Sequence, residues 1–179
     1  METLTVPVTH VIVSSNKSFD QVAEAIESMA VADKIDLALV EQIILASKSW
    51  DDFQEKISSK MGSNTFMLFT EIDHGSLMSL AFEGVKAKLY VIGNPLIARQ
   101  MLEQNLEVGL YVPLRLFVYE NKQGMTQIAY DKPSSLMGQF QNEKISAVAQ
   151  MLDRKLEELV TTAAGIVRLT EEHVISMGS

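Results

Sequence analysis

The chain has 179 residues, 47% hydrophobic and 21% charged, a balance that belongs to a folded globular protein and excludes a disordered one. Cysteine is absent, which removes disulfides, thiolate catalysis and cysteine-held zinc or iron–sulfur centres. The formal net charge is −8 and the 15 Lys and Arg are scattered, so neither nucleic acid nor an anionic membrane is an expected partner.

No apolar run reaches the roughly 18 residues that span a bilayer. The opening METLTVPVTH has no basic segment leading into an apolar stretch, so no secretory signal is expected and a cytoplasmic location follows. The length suits one domain, expected over 1–170, with 171–179 as a loose tail.

Residues 5–15, TVPVTHVIVSS, read as a strand with both faces largely covered, its first residues held outside the ladder by Pro7. Ser18 and Gln21 form a capping box, and Phe19, Val22, Ala23, Ile26, Met29 and Ala30 then share one stripe, which predicts a helix over 18–31. An apolar-rich helix follows at 34–47. A third starts at the cap Ser49–Asp52, is anchored by Trp50 and Phe53, and stops at 62–64, GSN. TFMLFTEI at 65–72 reads as a strand ending in the polar turn Asp73-His74-Gly75, and a helix begins near Leu77 and closes at Gly84. AKLYVI at 87–92 is the next strand. Asn94 as N-cap and Pro95 as first helical residue open a helix reaching about 104. LYVPLRLFVYE and MTQIAYD, joined by NKQG, read as an antiparallel hairpin.

The strand–helix–strand passage through 87–92 beside this hairpin predicts a mixed sheet. The expected class is α+β, with two layers: a curved mixed sheet packed by helices.

The longest helix is expected last. Asn142 caps a stretch to 167 in which Ile145, Val148, Ala149, Leu152, Leu156, Leu159, Val160, Ala163, Ile166 and Val167 keep one apolar stripe. At about 1.5 Å per residue it would outrun a small sheet, so the surplus stripe is expected to be covered by a second copy, the alternative being burial within one chain by the helices at 34–61.

Polar residues gather at strand ends, where ligands of α/β sheets tend to sit. His74 follows one strand and could act as base, metal ligand or anion contact, or simply make a structural hydrogen bond. Glu71 and Asp73 lie on one side of that strand and could bind a metal or act as an acid–base pair or, more simply, serve as a solvent-facing acid and a helix cap. Arg115 sits within an apolar strand and needs solvent, an anion, or an acid among Glu71, Asp73 and Asp131. His10, inside a strand, shares no ligand-like spacing with His74. Nothing resembles HExxH, a zinc signature, GxGxxG, GxSxG or a phosphate loop, so no metal or cofactor is expected.

EIDHG at 71–75, IGNP at 92–95, VPLRLFVYE at 112–120 and IAYDKPSSL at 128–136 occur in the order and approximate spacing of a family of domains of unknown function, DUF302, which the chain resembles over 65–137. The resemblance implies a compact α+β domain with a curved mixed sheet, often dimeric, without established activity. The family's recurrent polar positions fall on Asp73, His74, Asn94, Pro95, Arg115 and Tyr130. Where the family continues after Asn-Pro with a small Lys/Gly/Thr turn, this chain has LIARQ at 96–100.

Three functional readings follow. The first is a small-molecule or anion-binding module centred on His74, Asn94, Arg115 and Tyr130. The second is a hydrolase- or lyase-type enzyme using His74 with Asp73 or Glu71. The third is a structural or interaction protein acting as a homodimer.

Overall fold

The computed structural model describes residues 1, 3–30, 35–61 and 65–166. The expected glycine stop at 62–64 and the tail at 171–179 lie outside the described residues, and the last helix, expected to run to 167, ends at Ala164.

Helix starts follow the capping chemistry of the sequence. Before α1 (Phe19–Ala30), the Ser18 N–H donates to Gln21 Oε1 at 3.0 Å and the Gln21 N–H to Ser18 Oγ at 3.3 Å, the reciprocal pair of a capping box. Asp36 accepts from the Leu39 N–H at 2.8 Å to open α2 (Leu37–Leu45), and Ser49 accepts from the Asp52 N–H at 3.2 Å to open α3 (Trp50–Met61). The helix expected from Leu77 to Gly84 contracts to one short turn, α4 (His74–Met78).

Five strands form one sheet in the order β1 (His10–Ser15), β5 (Thr126–Asp131), β4 (Leu114–Glu120), β3 (Ala87–Gly93), β2 (Met67–Asp73). All four pairings are antiparallel, which corrects the expected mixed sheet. The strand–helix–strand passage misled because α4 is too short to carry the chain back along the sheet. A parallel connection is usually carried by a helix that runs back along the face, and α4 has only five residues. Here the chain turns over at the end of β2 and returns beside it as β3. The α+β class and the two layers stand.

Alternation gives the sheet two unlike faces. On one, Leu68, Tyr90, Ile92, Leu114, Leu116, Val118, Ile128 and Tyr130 join the main core with Val22 and Ile26 of α1 and the stripe of α7 (Glu143–Ala164). On the other, α2 and α3 cover only the β2 end, where Phe53, Ile57, Met67 and Phe69 form a second cluster with Val91 packed against it. The rest of that face is open. Opposed residues place Ile12, Ala129, Phe117, Leu89 and Ile72 in one row across all five strands, and its ends, Ile12 and Ile72, are 52% and 46% exposed. The expectation that β1 is covered on both faces therefore fails. β1 is an edge strand with one wet face, and its ladder begins only at His10.

Helix α7 starts at Asn142, whose Oδ1 accepts from the Lys144 and Ile145 N–H groups at 2.9 and 3.2 Å, and ends at Gly165 with φ +73°. Ser15 Oγ and Lys17 Nζ donate to the carbonyls of Ala164 and Ala163 at 2.9 and 3.1 Å, satisfying acceptors the helix end leaves free. The stripe at Ile145, Ala149, Leu152, Leu156, Leu159, Val160 and Ala163 is buried by the chain's own elements, in a cluster that includes residues of α1, the sheet, α5 (Pro95–Leu102) and α6 (Pro133–Met137). From Ile145 to Ala163 the stripe is therefore buried within one chain, by α1, α5 and α6 rather than by the helices expected at 34–61, while Ile166 beyond the helix end is 44% exposed. Among the described residues no helix is long and apolar enough to cross a membrane.

Candidate functional site

The polar residues singled out in the sequence separate into three places. Asn94 is fully employed: its Oδ1 accepts from the Leu96 and Ile97 N–H groups at 2.9 and 3.3 Å, capping α5, and its Nδ2 donates to the Thr65 carbonyl at 3.0 Å. Pro95 is the first residue of that helix.

Asp73 caps α4, accepting from the Ser76 N–H at 2.8 Å and from the Ser76 hydroxyl, and those bonds hold its carboxyl below the usual carboxylate range. The register sets Glu71 opposite Tyr90 and Asp73 opposite Lys88, on the side of the sheet that packs α1. Lys88 Nζ lies 3.3 Å from Glu27 and 3.7 Å from Glu71, and the Tyr90 hydroxyl donates to Glu27 at 2.9 Å. Burial pulls the Lys88 ammonium down, but Glu27, Glu71 and Asp73 outweigh it, so its pKa lies above that of an ordinary lysine. Burial, then the acceptor Glu27, pushes the Tyr90 phenol well up. Glu71 and Asp73 are therefore committed to an ion cluster and a cap.

His74 stands apart from both acids. Its ring meets Phe117 edge-on, centroids 5.9 Å apart, on the open face, and it has no hydrogen-bond partner among the described residues. The acid–histidine contact required of a His74-centred hydrolase or lyase is not formed. Tyr130 is 4% exposed within the main core, facing the helices, while Arg115 projects from the opposite face of β4. Of the four residues expected to bind a ligand, His74 and Arg115 share a face, and Asn94 and Tyr130 point elsewhere.

What the open face does assemble is a groove of about 380 Å³ lined by His10, Leu89, Arg115, Phe117, Tyr119, Ala129 and Asp131, with Tyr130 contributing to its wall. Antiparallel register brings it together: His10 lies opposite Asp131, and Phe117 opposite both Leu89 and Ala129. Phe117 and Tyr119, two residues apart on one face, stack at 5.4 Å and make an aromatic floor. His10 Nδ1 and Asp131 Oδ1 are 2.7 Å apart. Arg115 is exposed and pairs with none of Glu71, Asp73 or Asp131. A guanidinium next to an aromatic surface suits a flat molecule bearing a carboxylate, or another planar oxyanion.

Sequence reading missed His10, Asp131 as its partner, and Phe117 with Tyr119. A local signal existed for the aromatic pair, since LRLFVYE places Arg115, Phe117 and Tyr119 on one face by alternation. His10 became visible only through the β1–β5 register. Among the described residues no three His, Asp or Glu side chains gather as a metal-binding group.

These elements define an α+β protein: an antiparallel five-stranded sheet, helices α1 and α7 across one face, and a partly open second face. The chain belongs to the family described as "Domain of unknown function DUF302", whose model matches residues 42–163, beyond both ends of the segment whose motifs carried the resemblance. A solved structure, titled as an uncharacterized conserved DUF302 protein from Bacillus stearothermophilus, is similar, with a TM-score of 0.60 at 17% identity over 86% of this chain and 97% of that one. At that identity the likeness concerns the fold alone. Among curated proteins, none matches this chain in sequence.

Proposed function

We propose that the protein is a small-molecule-binding module whose site is the groove on the open face of the sheet, and that its ligand carries a planar carboxylate or similar anion on an apolar body. One observation carries the reading: Arg115 has no acid partner among the described residues, while the acid that lines the groove, Asp131, is paired with His10. The ligand's anion takes the guanidinium, and its body lies on Phe117 and Tyr119. His74, at the edge of Phe117, borders the same surface.

The test uses benzoate as probe, titrated against protein labelled for NMR. Saturable shifts at Arg115, Phe117, Tyr119 and Leu89, weakened at least tenfold in Arg115→Gln, support the reading. Absence of saturation, or equal binding by Arg115→Gln, overturns it.

A second reading, a homodimer, is favoured by the apolar row from Ile12 to Ile72, which a second copy would cover in place of a ligand. Light scattering on wild type and Ile12→Lys separates the two. A dimer that the variant dissociates supports this reading, and a wild-type monomer ends it.

A further inference from the structure

A second cavity lies away from the groove, beneath α5, where the two apolar clusters meet. Phe66, Met101, Leu114 and Leu152 of the main cluster and Phe69 of the second face one space of about 210 Å³. Its floor is deep, with Met101 at 0% and Leu152 at 3% exposure, and its wall reaches exposed residues at Gly109 and Pro113, so it is open to entry. Close packing bounds it at Gly93: a Cβ there would stand 2.8 Å from a Phe69 ring carbon and 3.3 Å from Pro113.

The wall carries no ionisable side chain, and its one polar side chain, Asn94, has its amide committed to the α5 cap and to Thr65. Water needs about two to four polar partners to be held in such a space, and a charge would enter without compensation. An apolar cavity of roughly 150 Å³ is already enough to admit benzene. We propose that this cavity is a binding site for a small uncharged apolar molecule, of the size of a benzene ring with a short alkyl group. The site is independent of Arg115 and of the open face.

The experiment is a methyl-resolved NMR titration of the whole chain with toluene, with benzoate as the charged comparator. Saturable toluene shifts at the methyls of Met101, Leu102, Leu114 and Leu152 are expected, with benzoate leaving them unmoved. Ala98→Leu, which adds bulk to the wall, should weaken toluene at least tenfold, while Arg115→Gln leaves it unchanged. Leu102→Phe serves the same purpose if Ala98→Leu loses its dispersed methyl spectrum. Methyls that stay unmoved in toluene-saturated buffer, or folded filling variants that bind as well as wild type, overturn the proposal.

Discussion

His10 and Asp131 meet at 2.7 Å across the β1–β5 pairing although 121 positions separate them in the chain. The contact joins the edge strand β1 to β5 and occupies one oxygen of Asp131. Both side chains are substantially solvated, so the pair itself adds only about 0–1 kcal/mol. Asp131→Asn should therefore leave the urea midpoint nearly unchanged. It should also tighten benzoate about twofold, because a negative charge leaves the neighbourhood of the anion; weaker binding would contradict the proposed placement.

Asn94→Ala should cost about 1–2 kcal/mol in urea unfolding, since it removes an N-cap and the tie to Thr65 together. Benzoate affinity in the folded fraction should not change. A ligand-binding Asn94 would show the reverse pattern, with normal stability and lost affinity.

Leu156→Ala, in the middle of α7, should destabilise by about 3–5 kcal/mol, because its neighbours α1, α5 and the sheet can only partly collapse into the space. The unfolding midpoint should not depend on protein concentration through this residue. A concentration dependence that Leu156→Ala abolishes would mean that α7 does face a second copy.

Gly75→Ala tests the turn from β2 into α4. The new Cβ would lie 2.7 Å from the Val85 carbonyl oxygen and 3.0 Å from the Ala87 nitrogen, both backbone atoms held near the start of β3. Overpacking of this kind costs about 1–3 kcal/mol. It should also broaden the Phe117 and His74 resonances, which report how α4 folds over the open face.

Acid should remove the contributions of Asp52 and Asp73. Both have folded pKa values depressed below the ordinary 3.8, the first chiefly by a hydrogen bond from Lys56 and the second by one from Ser76. The unfolded chain then binds protons that the folded one refuses, so this stabilisation is complete above about pH 5 and is lost as the pH falls through 3.8 and the folded values. Unfolding midpoints of Asp73→Asn and wild type should converge as the pH drops from 5 toward 2. A constant gap across that range would contradict the assignment.

Local chemistry was the legible part of this sequence. Ser18–Gln21, Asn94–Pro95 and Asn142 each act within a few residues, and each helix start they signalled is present, whereas the last helix, expected to run to 167, stops at Ala164 because Gly165 turns the backbone left-handed. The hairpin from Leu114 to Asp131 was legible for the same reason, although residues 106–110 form a 3-10 turn where strand was expected to begin at Leu110. Strand direction was not legible, because α4 and the turn after it look in sequence like the start of a crossover and only the β2–β3 register shows otherwise. Coverage was not legible either. Whether α7's stripe meets its own chain depends on where α1, α5 and α6 land, and no periodicity encodes that. The candidate site divided along the same line: Asp73 as a cap followed from Asp73 and Ser76 alone, whereas the neighbours of Arg115 are set by three strand pairings.

The strand order also fixes a schedule for the growing chain. β1 emerges first from the ribosome, yet its partner is β5, and at about 5–20 residues per second the stretch between His10 and Asp131 takes on the order of ten seconds to make. Through that interval TVPVTHVIVSS is an unpaired, β-branched segment of the kind that recruits other strands. Closing so long a loop also makes β1 a late addition during refolding. Crowded synthesis is thus when this protein is most exposed to aggregation, and the amino-terminal strand is where a holding chaperone would do the most good.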